Sequence, residues 1–515
     1  MPPTLPTPPT LPKRSPMNQE TSNRQIFKMS IALGVGIGLI YLAFLKPGIW
    51  GIDGTEMFWV SHSLVTKGSF ALPEGAAGIV GRGGQTFAMR YPLISILAAP
   101  FVAIGLFLGT LFNVPTRYAA TVCALLLSVI LTAITASLVA LIALRLGSSK
   151  KGAYLAALAF AFGTIALVYS REFFAEPVLA FVTALMLYWG MGNDYREHAG
   201  ASILSGISIL AKPAGIILGP IFSAYFFLKK YPWRIILGPI IGTAGGVFLY
   251  LCYNFLRFES FFTTGQDSER FQLTGMPERL IGLLLSPGTG GGLFWYCPPT
   301  ILAIWGFRRG LRIKPLETWL VAGVFLAYWV LHAFWAFRGW NWGPRFLVPV
   351  LPGLLALTAL IPKKRWDLLL GLTFLGLFFN APTLVAYYQR YFAEMESQGT
   401  AQLLAVLDLW GNPLVSPLFN GWAAAFNQLG DAFSNNVQDV LNNVGGPPGA
   451  GDIVNSDLLK IVAVWWWVLP AAGIPIWVGF FVALLLIILG IWILRWGWLQ
   501  TIDQEQWIMD NEENG

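Results

Sequence analysis

Charged residues are scarce in this chain of 515 residues, making up 11 % of it, whereas hydrophobic residues make up 56 %. A typical soluble domain carries about 25 % charged residues, so the composition excludes an ordinary water-soluble protein. The three cysteines are scattered and the three histidines have no ligand spacing, so neither a disulfide framework nor a metal site is indicated. What the chain has instead is a series of long apolar runs, which indicates a polytopic membrane protein.

These runs predict an all-α fold with about twelve transmembrane helices, because a span needs roughly 20 mainly apolar residues. The predicted spans are 27–45, 118–144, 152–169, 173–190, 201–211, 214–228, 235–256, 293–307, 316–337, 346–361, 366–388 and 472–494. The pair 201–211 and 214–228 also fits one broken helix. A thirteenth run, 91–112, is apolar enough to span but is interrupted by Pro100.

The positions of the basic residues decide how this thirteenth run is interpreted. Short cytoplasmic loops of membrane proteins collect Lys and Arg. If 91–112 does not cross, one side holds more than half of the 33 basic residues, including the clusters at 308–314 and 363–365. We therefore predict re-entrant or surface helices within a large first external loop, 46–117, and cytoplasmic termini in a bacterial plasma (inner) membrane. The net charge of +7 is then an orientation signal and does not indicate nucleic-acid binding.

Ionisable residues are nearly absent from the middle of the predicted spans. Ion-coupled carriers usually need such groups near the bilayer midplane. The polar residues gather instead at the predicted external ends of helices, after the first span and in the stretches 169–177, 210–215 and 337–346. This distribution favours an outward-facing membrane enzyme over a channel or a carrier.

Several motifs occur at these ends in a fixed order: "GQTFAMRYPLISILAAP" (84–100), "SREFFAEPVLAF" (170–181), "GISILAKPAGIILGP" (206–220), "LLLSPGTGGGLFWYCPP" (283–299) and "WNWGPRFLVPVLP" (340–352). Together with a carboxylate just after the first span, they resemble the GT-C glycosyltransferase superfamily, in the branch of the protein O-mannosyltransferases and the bacterial lipid A aminoarabinose transferase. The chain departs from the acidic pair that is frequent there, because Asp53 is followed by Gly54.

The resemblance implies an inverting glycosyl transfer from a polyprenyl-phosphate sugar to a glycan, lipid or protein acceptor on the external face. Such a reaction needs a carboxylate to take the proton of the acceptor hydroxyl. It also needs fixed cations that stabilise the leaving phosphate. Because Lys and Arg can neutralise a monophosphate, we expect no obligatory cofactor or metal. Membrane lipids are the other expected partner.

Asp53 is the predicted base, with Glu56 and Glu176 as possible catalytic or acceptor-orienting residues. The residues predicted to bind the donor phosphate are Lys212, Arg345, Arg171 and Arg338, and those predicted to contact the sugar or lipid are Tyr91, Trp340 and Trp342. The plainer alternatives are a solvated loop carboxylate or helix cap for Asp53, and a helix N-terminal residue for Glu176. The basic residues could instead reach lipid headgroups, and the tryptophans could form an interfacial belt.

The predicted organisation is a disordered cytoplasmic tail (1–25), a catalytic membrane module (26–390), an external loop region (391–460), a final membrane segment (461–495) and an acidic cytoplasmic tail (496–515). Two other functions stay open. One is a flippase or transporter for lipid-linked oligosaccharides. The other is an oligosaccharide polymerase or ligase with a pyrophosphate donor.

Overall fold

The structure is a computed structural model that describes residues 16–76, 78–265, 271–336, 339–397, 416–434, 436–437 and 457–502. Within these residues the fold is almost entirely helical, which confirms the predicted all-α class. The described strands are β1 (Ile79–Val80) and β2 (Thr86–Phe87), and they pair antiparallel within the first loop. Of the predicted tails 1–25 and 496–515, residues 1–15 and 503–515 lie outside the described residues, as does most of 398–456. Residues 16–25, predicted to be disordered, are instead helical as the start of α1, and the last helix continues to Leu499.

Twenty α-helices follow one another along the described chain, and short 3-10 segments lie in some of the connections. They are α1 (Pro16–Ala43), α2 (Ile52–Lys67), α3 (Pro92–Leu111), α4 (Thr116–Arg145), α5 (Lys150–Phe162), α6 (Ala166–Tyr169), α7 (Ala175–Gly190), α8 (Tyr195–Ala211), α9 (Leu218–Leu228), α10 (Trp233–Phe258), α11 (Met276–Leu285), α12 (Leu293–Tyr296), α13 (Ala303–Ile313), α14 (Pro315–Ala333), α15 (Leu351–Thr358), α16 (Trp366–Asn380), α17 (Pro382–Val385), α18 (Gln389–Ser397), α19 (Pro417–Ser434) and α20 (Ile476–Leu499).

Six of the described helices are long and apolar enough to cross a membrane: Ser22–Ala43 of α1, α3, α4, α10, α14 and α20. Five of them coincide with predicted spans. Shorter apolar helices occupy Ala175–Gly190, Pro213–Leu228 and Arg345–Thr358, which also fall on predicted spans. The number of twelve spans stays a prediction.

Several predicted spans are interrupted, among them 366–388, which divides into α16 and α17 at Ala381. The run 152–169 divides into α5 and α6 at Gly163, where α16 approaches so closely that a Cβ on Gly376 would lie 2.1 Å from the Gly163 carbonyl oxygen. The run 293–307 divides around Pro298 and Pro299, because proline has no backbone N–H for the helix ladder.

The helix α3 corrects one expectation, because it continues through Pro100 for 20 residues. It packs as a hairpin against the first half of α4, where Cβ atoms on Gly105 and Gly109 would lie 2.5 and 2.6 Å from the Cα atoms of Ala120 and Thr116. The later half of α4 contacts α1 instead, and Ser137 Oγ donates to the Ser30 carbonyl at 2.7 Å. The placement of α3 in or beside the bilayer stays a prediction.

Helix α7 connects two opposite ends of the bundle. At its last turn the carbonyl of Tyr188 accepts a 2.6 Å hydrogen bond from Arg145, which also pairs with Glu197 at the start of α8. At its first turn Glu176 contacts Lys212, just beyond the end of α8. The first end carries loops predicted to be cytoplasmic. The second end carries the carboxylates and cations singled out from the sequence.

Candidate active site

A cavity of about 920 Å³ opens at this second end of the bundle. Its lining includes five charged side chains, each from a separate stretch of the chain: Asp53, Arg90, Glu176, Lys212 and Arg345. The structure therefore brings together the stretches that the sequence placed on one side of the membrane. Four of these five residues were predicted as site residues.

Asp53 lies in the first turn of α2, where the positive end of the helix favours a carboxylate. Gly51 makes the turn into this helix with φ of 98°, a conformation that glycine adopts without steric cost. Asp53 Oδ1 accepts a 2.6 Å hydrogen bond from Arg90 Nη2, and its Oδ2 accepts a 3.0 Å bond from Arg345 Nη2. The carboxylate is thus held between two guanidinium groups.

Close contacts at position 54 explain why a glycine follows Asp53. A Cβ on Gly54 would lie 2.9 Å from Ile49 Cγ2 and 3.1 Å from the carbonyl oxygen of Phe173. A second acidic side chain at this position would therefore require the chain between α6 and α7 to move.

Arg90 is the functional residue that the sequence interpretation missed. It follows Met89, whose backbone N–H donates to Glu56 Oε2 at 3.1 Å, and it precedes Pro92 at the start of α3. Arg90 Nε also lies 3.7 Å from Glu56 Oε2. The available signal was that Arg90 is the single basic residue in the stretch 84–100.

The other half of the cluster joins Glu176, Lys212 and Arg345. Glu176 Oε1 lies 2.9 Å from Lys212 Nζ and 3.3 Å from Arg345 Nε. Lys212 reaches the cavity because Pro213 ends α8 and leaves Lys212 extended, with φ of −165°. Its ammonium also lies 4.0 Å from the centre of the Phe346 ring, a cation–π contact.

With Glu56 included, the cluster contains three carboxylates and three cations, so its formal charges cancel. Not every N–H group of the cluster, however, has a hydrogen-bond acceptor. Among the described residues, Arg90 Nε and Arg345 Nε are buried and have no hydrogen-bond acceptor in bonding geometry. Each faces a carboxylate oxygen at 3.7 Å or 3.3 Å, so an anionic ligand that displaces that carboxylate would give the N–H an acceptor.

The two carboxylates of α2 differ in their electrostatics. Burial opposes ionisation of Asp53, but Arg90, Arg345 and Lys212 outweigh it, and the pKa of Asp53 lies below its ordinary value. Burial dominates at Glu56 and raises its pKa to about 7, although Arg90 counteracts it. Asp53 is therefore ionised at neutral pH, whereas Glu56 is close to half protonated.

The remaining predicted residues divide between the cavity and other places. Tyr91 and Trp340 line the cavity, and the Trp340 ring stacks on Trp50 with 6.1 Å between centroids. Trp342 is buried outside the cavity lining, and its indole N–H donates to Asn380 at 2.8 Å. Arg338 lies outside the described residues.

Arg171 is not brought into the cavity. It is 1 % exposed, and its guanidinium donates to the backbone carbonyls of Phe44, Thr383 and Ala463. The glycine-rich residues 286–292, which belong to the motif at 283–299, also lie outside the cavity lining.

One wall of the cavity is apolar and aromatic. It is formed by Ile216, Tyr250, Phe271, Leu331 and Trp335. This wall suits a hydrocarbon chain, and the charged cluster beside it suits a charged head. In the part of the chain that the structure describes, no group of three or more His, Cys, Asp or Glu side chains could hold a metal ion. Metal dependence stays a prediction.

No protein-family model matches the chain, and no curated protein sequence matches it. The fold is similar to ArnT from Cupriavidus metallidurans bound to undecaprenyl phosphate, with a TM-score of 0.46, 14 % identity and coverage of 89 % of this chain and 76 % of that chain. For ArnT in the apo state the TM-score is 0.45 at 16 % identity, covering 91 % of this chain and 77 % of that chain.

The fold is also similar to the archaeal oligosaccharyltransferase AglB from Archaeoglobus fulgidus in complex with an inhibitory peptide and a dolichol-phosphate. The TM-score is 0.48 at 13 % identity, covering 77 % of this chain and 61 % of that chain. ArnT and AglB both belong to the GT-C superfamily, which the sequence motifs resemble.

Proposed function

We propose that this protein is an inverting membrane glycosyltransferase that moves a sugar from a polyprenyl-phosphate donor to an acceptor on the external face, with Asp53 as the general base. The observation that carries the proposal is the position of Asp53. Its carboxylate is bound by Arg90 and Arg345 in a cavity that has an apolar wall. A base, phosphate-binding cations and a surface for a lipid chain thus occur within one cavity.

The donor phosphate binds to Arg90, Arg345 and Lys212 in this proposal. Guanidinium groups match phosphate oxygens in pairs, and the Nε atoms of both arginines are not yet engaged in hydrogen bonds within the described residues. These cations counter the negative charge that grows on the phosphate as its bond to the sugar breaks.

Donor binding also prepares the base. In the ligand-free cluster the two arginines keep the pKa of Asp53 low, which makes Asp53 a weak base. A phosphate that competes for these guanidinium groups leaves burial as the stronger influence, so the pKa of Asp53 rises. The acceptor oxygen then attacks the anomeric carbon, its proton moves to Asp53, and polyprenyl phosphate leaves.

The first experiment identifies the reactants by comparing lipids and glycans, by mass spectrometry, from cells with the gene, without it, and with an Asp53→Asn copy. The donor lipid should accumulate, and one glycosylated product should disappear, both without the gene and with the Asn copy. Full product formation by the Asn copy would remove Asp53 from the chemistry.

The purified protein, reconstituted in liposomes with the donor so identified, separates the three candidate functions. Transfer from a monophosphate donor releases one polyprenyl monophosphate for each sugar transferred. Release of a pyrophosphate lipid would instead identify a polymerase or ligase. Movement of an intact donor across the bilayer without cleavage would identify a flippase, and either result would overturn the proposal.

The external location is tested by labelling single cysteines in intact cells, in a background without Cys123, Cys252 and Cys297. Gly75 and Arg312 are exposed positions on the two predicted sides. A membrane-impermeant maleimide should label a cysteine at 75 and should label one at 312 only after the membrane is opened. The reverse pattern would place the cavity on the cytoplasmic side.

A further inference from the structure

Helix α19 has an apolar face that the described part of the protein leaves uncovered. Phe419, Phe426 and Phe433 are 50 %, 63 % and 78 % exposed. They are seven residues apart, so they lie along one side of the helix, and the exposed Ala423 and Gly430 fall between them. No charged side chain lies on this stripe.

The opposite face of α19 is fixed to the protein. Gln428 Oε1 accepts from the backbone N–H of Tyr387 at 3.1 Å, and its Nε2 donates to the carbonyl of Ile461 at 2.5 Å. Gly421 packs on the ring of Trp342, where a Cβ would lie 2.4 Å from Cη2. These contacts set the rotation of the helix, so the phenylalanine stripe cannot turn inward without breaking them.

Both ends of α19 contact aromatic side chains near the ends of other apolar helices. Near its start the ring of Trp422 lies 5.6 Å from that of Phe378, which is 55 % exposed in the last turn of α16. Near its end the ring of Phe433 lies 5.2 Å from that of Trp467, nine residues before α20 begins. The helix therefore lies across the end of the bundle at which α16 ends and α20 starts.

We propose that the stripe formed by Phe419, Ala423, Phe426, Gly430 and Phe433 is a lipid-binding surface, embedded in the headgroup region of the leaflet on the cavity side. The apolar surface of α16 continues into it through Phe378 and Trp422, which favours lipid as the occupant. Aromatic residues are enriched at this depth of a bilayer. A helix of this kind buries its apolar face about 5–10 Å into the boundary between headgroups and acyl chains.

The experiment uses the full-length protein in phosphatidylcholine and phosphatidylglycerol liposomes, with one spin-labelled cysteine at a time in a background without the three native cysteines. The test positions are Phe426→Cys and Phe433→Cys. Asn427→Cys is the matched control, because residue 427 is exposed on the polar flank of the same helix. Phe248→Cys in α10 gives the lipid reference and Glu74→Cys gives the water reference.

At Phe426 and Phe433, collisions with oxygen should exceed collisions with a water-soluble nickel chelate, as at Phe248, with a depth between those of the two references. At Asn427, collisions with the nickel chelate should be more frequent relative to collisions with oxygen than at the two phenylalanine positions. If Phe426 and Phe433 behave like Glu74, the stripe faces water and the proposal is wrong. If both labels are shielded from oxygen and nickel alike, protein covers the stripe and the proposal is equally wrong. A variant that does not fold is replaced by Phe419→Cys on the same stripe.

Discussion

Two clusters of buried charge lie side by side in this protein and use the same kinds of residue differently. The cavity cluster consists of Asp53, Glu56, Arg90, Glu176, Lys212 and Arg345. The back cluster consists of Lys46, Arg171 and Glu172. It lies on the connections that lead into α2 and α7, the two helices whose first turns carry Asp53 and Glu176. Comparing the two clusters distinguishes a candidate ligand-binding site from charges that only stabilise the fold.

In the back cluster every charge has partners within the protein. The Arg171 guanidinium donates to three backbone carbonyls, and the ammonium of Lys46 pairs with Glu172. Burial nevertheless lowers the pKa of Lys46 to about 8 and raises that of Glu172. Desolvation thus outweighs the attraction within this pair, and none of the three side chains lines the cavity.

In the cavity cluster, the attraction between opposite charges is stronger than the effect of burial at Asp53. Two buried guanidinium Nε atoms have no hydrogen-bond acceptor among the described residues. The cluster also faces about 920 Å³ of open space. Open hydrogen-bonding capacity beside a cavity, rather than buried charge itself, marks the site.

The largest expected effect is at Asp53. Asp53→Asn keeps the size of the side chain but cannot take the acceptor's proton, so transfer at saturating donor and acceptor should fall by about 10² to 10⁴, the usual contribution of general-base catalysis. The measurement is the turnover rate in liposomes. Donor binding should persist, which separates a catalytic defect from a folding defect. Turnover close to that of the unmodified protein would leave Asp53 as a structural partner of the two arginines.

The next effect is on donor affinity. Arg345→Ala and Lys212→Ala should each weaken binding of the donor lipid by about 2–5 kcal/mol, the usual cost of removing one member of a buried charge pair that contacts a ligand. Binding is measured by titrating the donor into protein in nanodiscs. Each variant also leaves Glu176 with one cation fewer, so Glu176→Gln is combined with each as the control. Unchanged affinity in both single variants would exclude them from phosphate binding.

Arg171→Ala should act on stability instead. Three buried carbonyls lose their donor, and each unsatisfied group costs about 1–3 kcal/mol where water cannot replace it. The expected result is a lower unfolding temperature and less folded protein, with donor affinity per folded molecule unchanged. If Arg171→Ala lowered donor affinity and left stability unchanged, Arg171 would belong to the donor site, and the proposed difference between the two clusters would be wrong.

The sequence predicted much of this arrangement for physical reasons. Apolar run length and loop charge are local signals, and they located most of the long apolar helices, together with the stretches that meet at the cavity. They did not locate the amphipathic helices α11 and α19. Asp53, Glu176, Lys212 and Arg345 could be singled out because an ionisable residue beside an apolar run is costly without a partner.

What the sequence could not show depends on contacts between distant residues. Arg171 and Arg345 both follow helix-end motifs, yet one meets three carbonyls and the other a cavity, which only the folded chain decides. Arg90 lies 37 residues from Asp53 along the chain, and no periodicity links them. Pro100 indicated a break, but it lies within the continuous helix α3.

The smallest expected effect is at Glu56, and it is a change in pH dependence. The pKa of Glu56 is raised to about 7, so Glu56 is mostly neutral one unit below that pH and mostly charged one unit above it. When charged, it competes with the donor phosphate for Arg90, whose Nε lies 3.7 Å from Glu56 Oε2. Donor affinity should therefore weaken as the pH rises through 7, by less than about tenfold, which corresponds to about 1.4 kcal/mol.

Glu56→Gln tests this origin of the pH dependence. The amide oxygen can still accept the backbone N–H of Met89 but cannot ionise, so the variant should keep the affinity that the unmodified protein shows at low pH. Asp53 is present in both proteins, so any pH dependence that comes from the rise of its pKa on donor binding is common to both and does not affect the comparison. The measurement is the donor dissociation constant of both proteins on either side of pH 7. If donor affinity changes with pH equally in both proteins, another group titrates. Glu56 then only holds the backbone of Met89 beside the site.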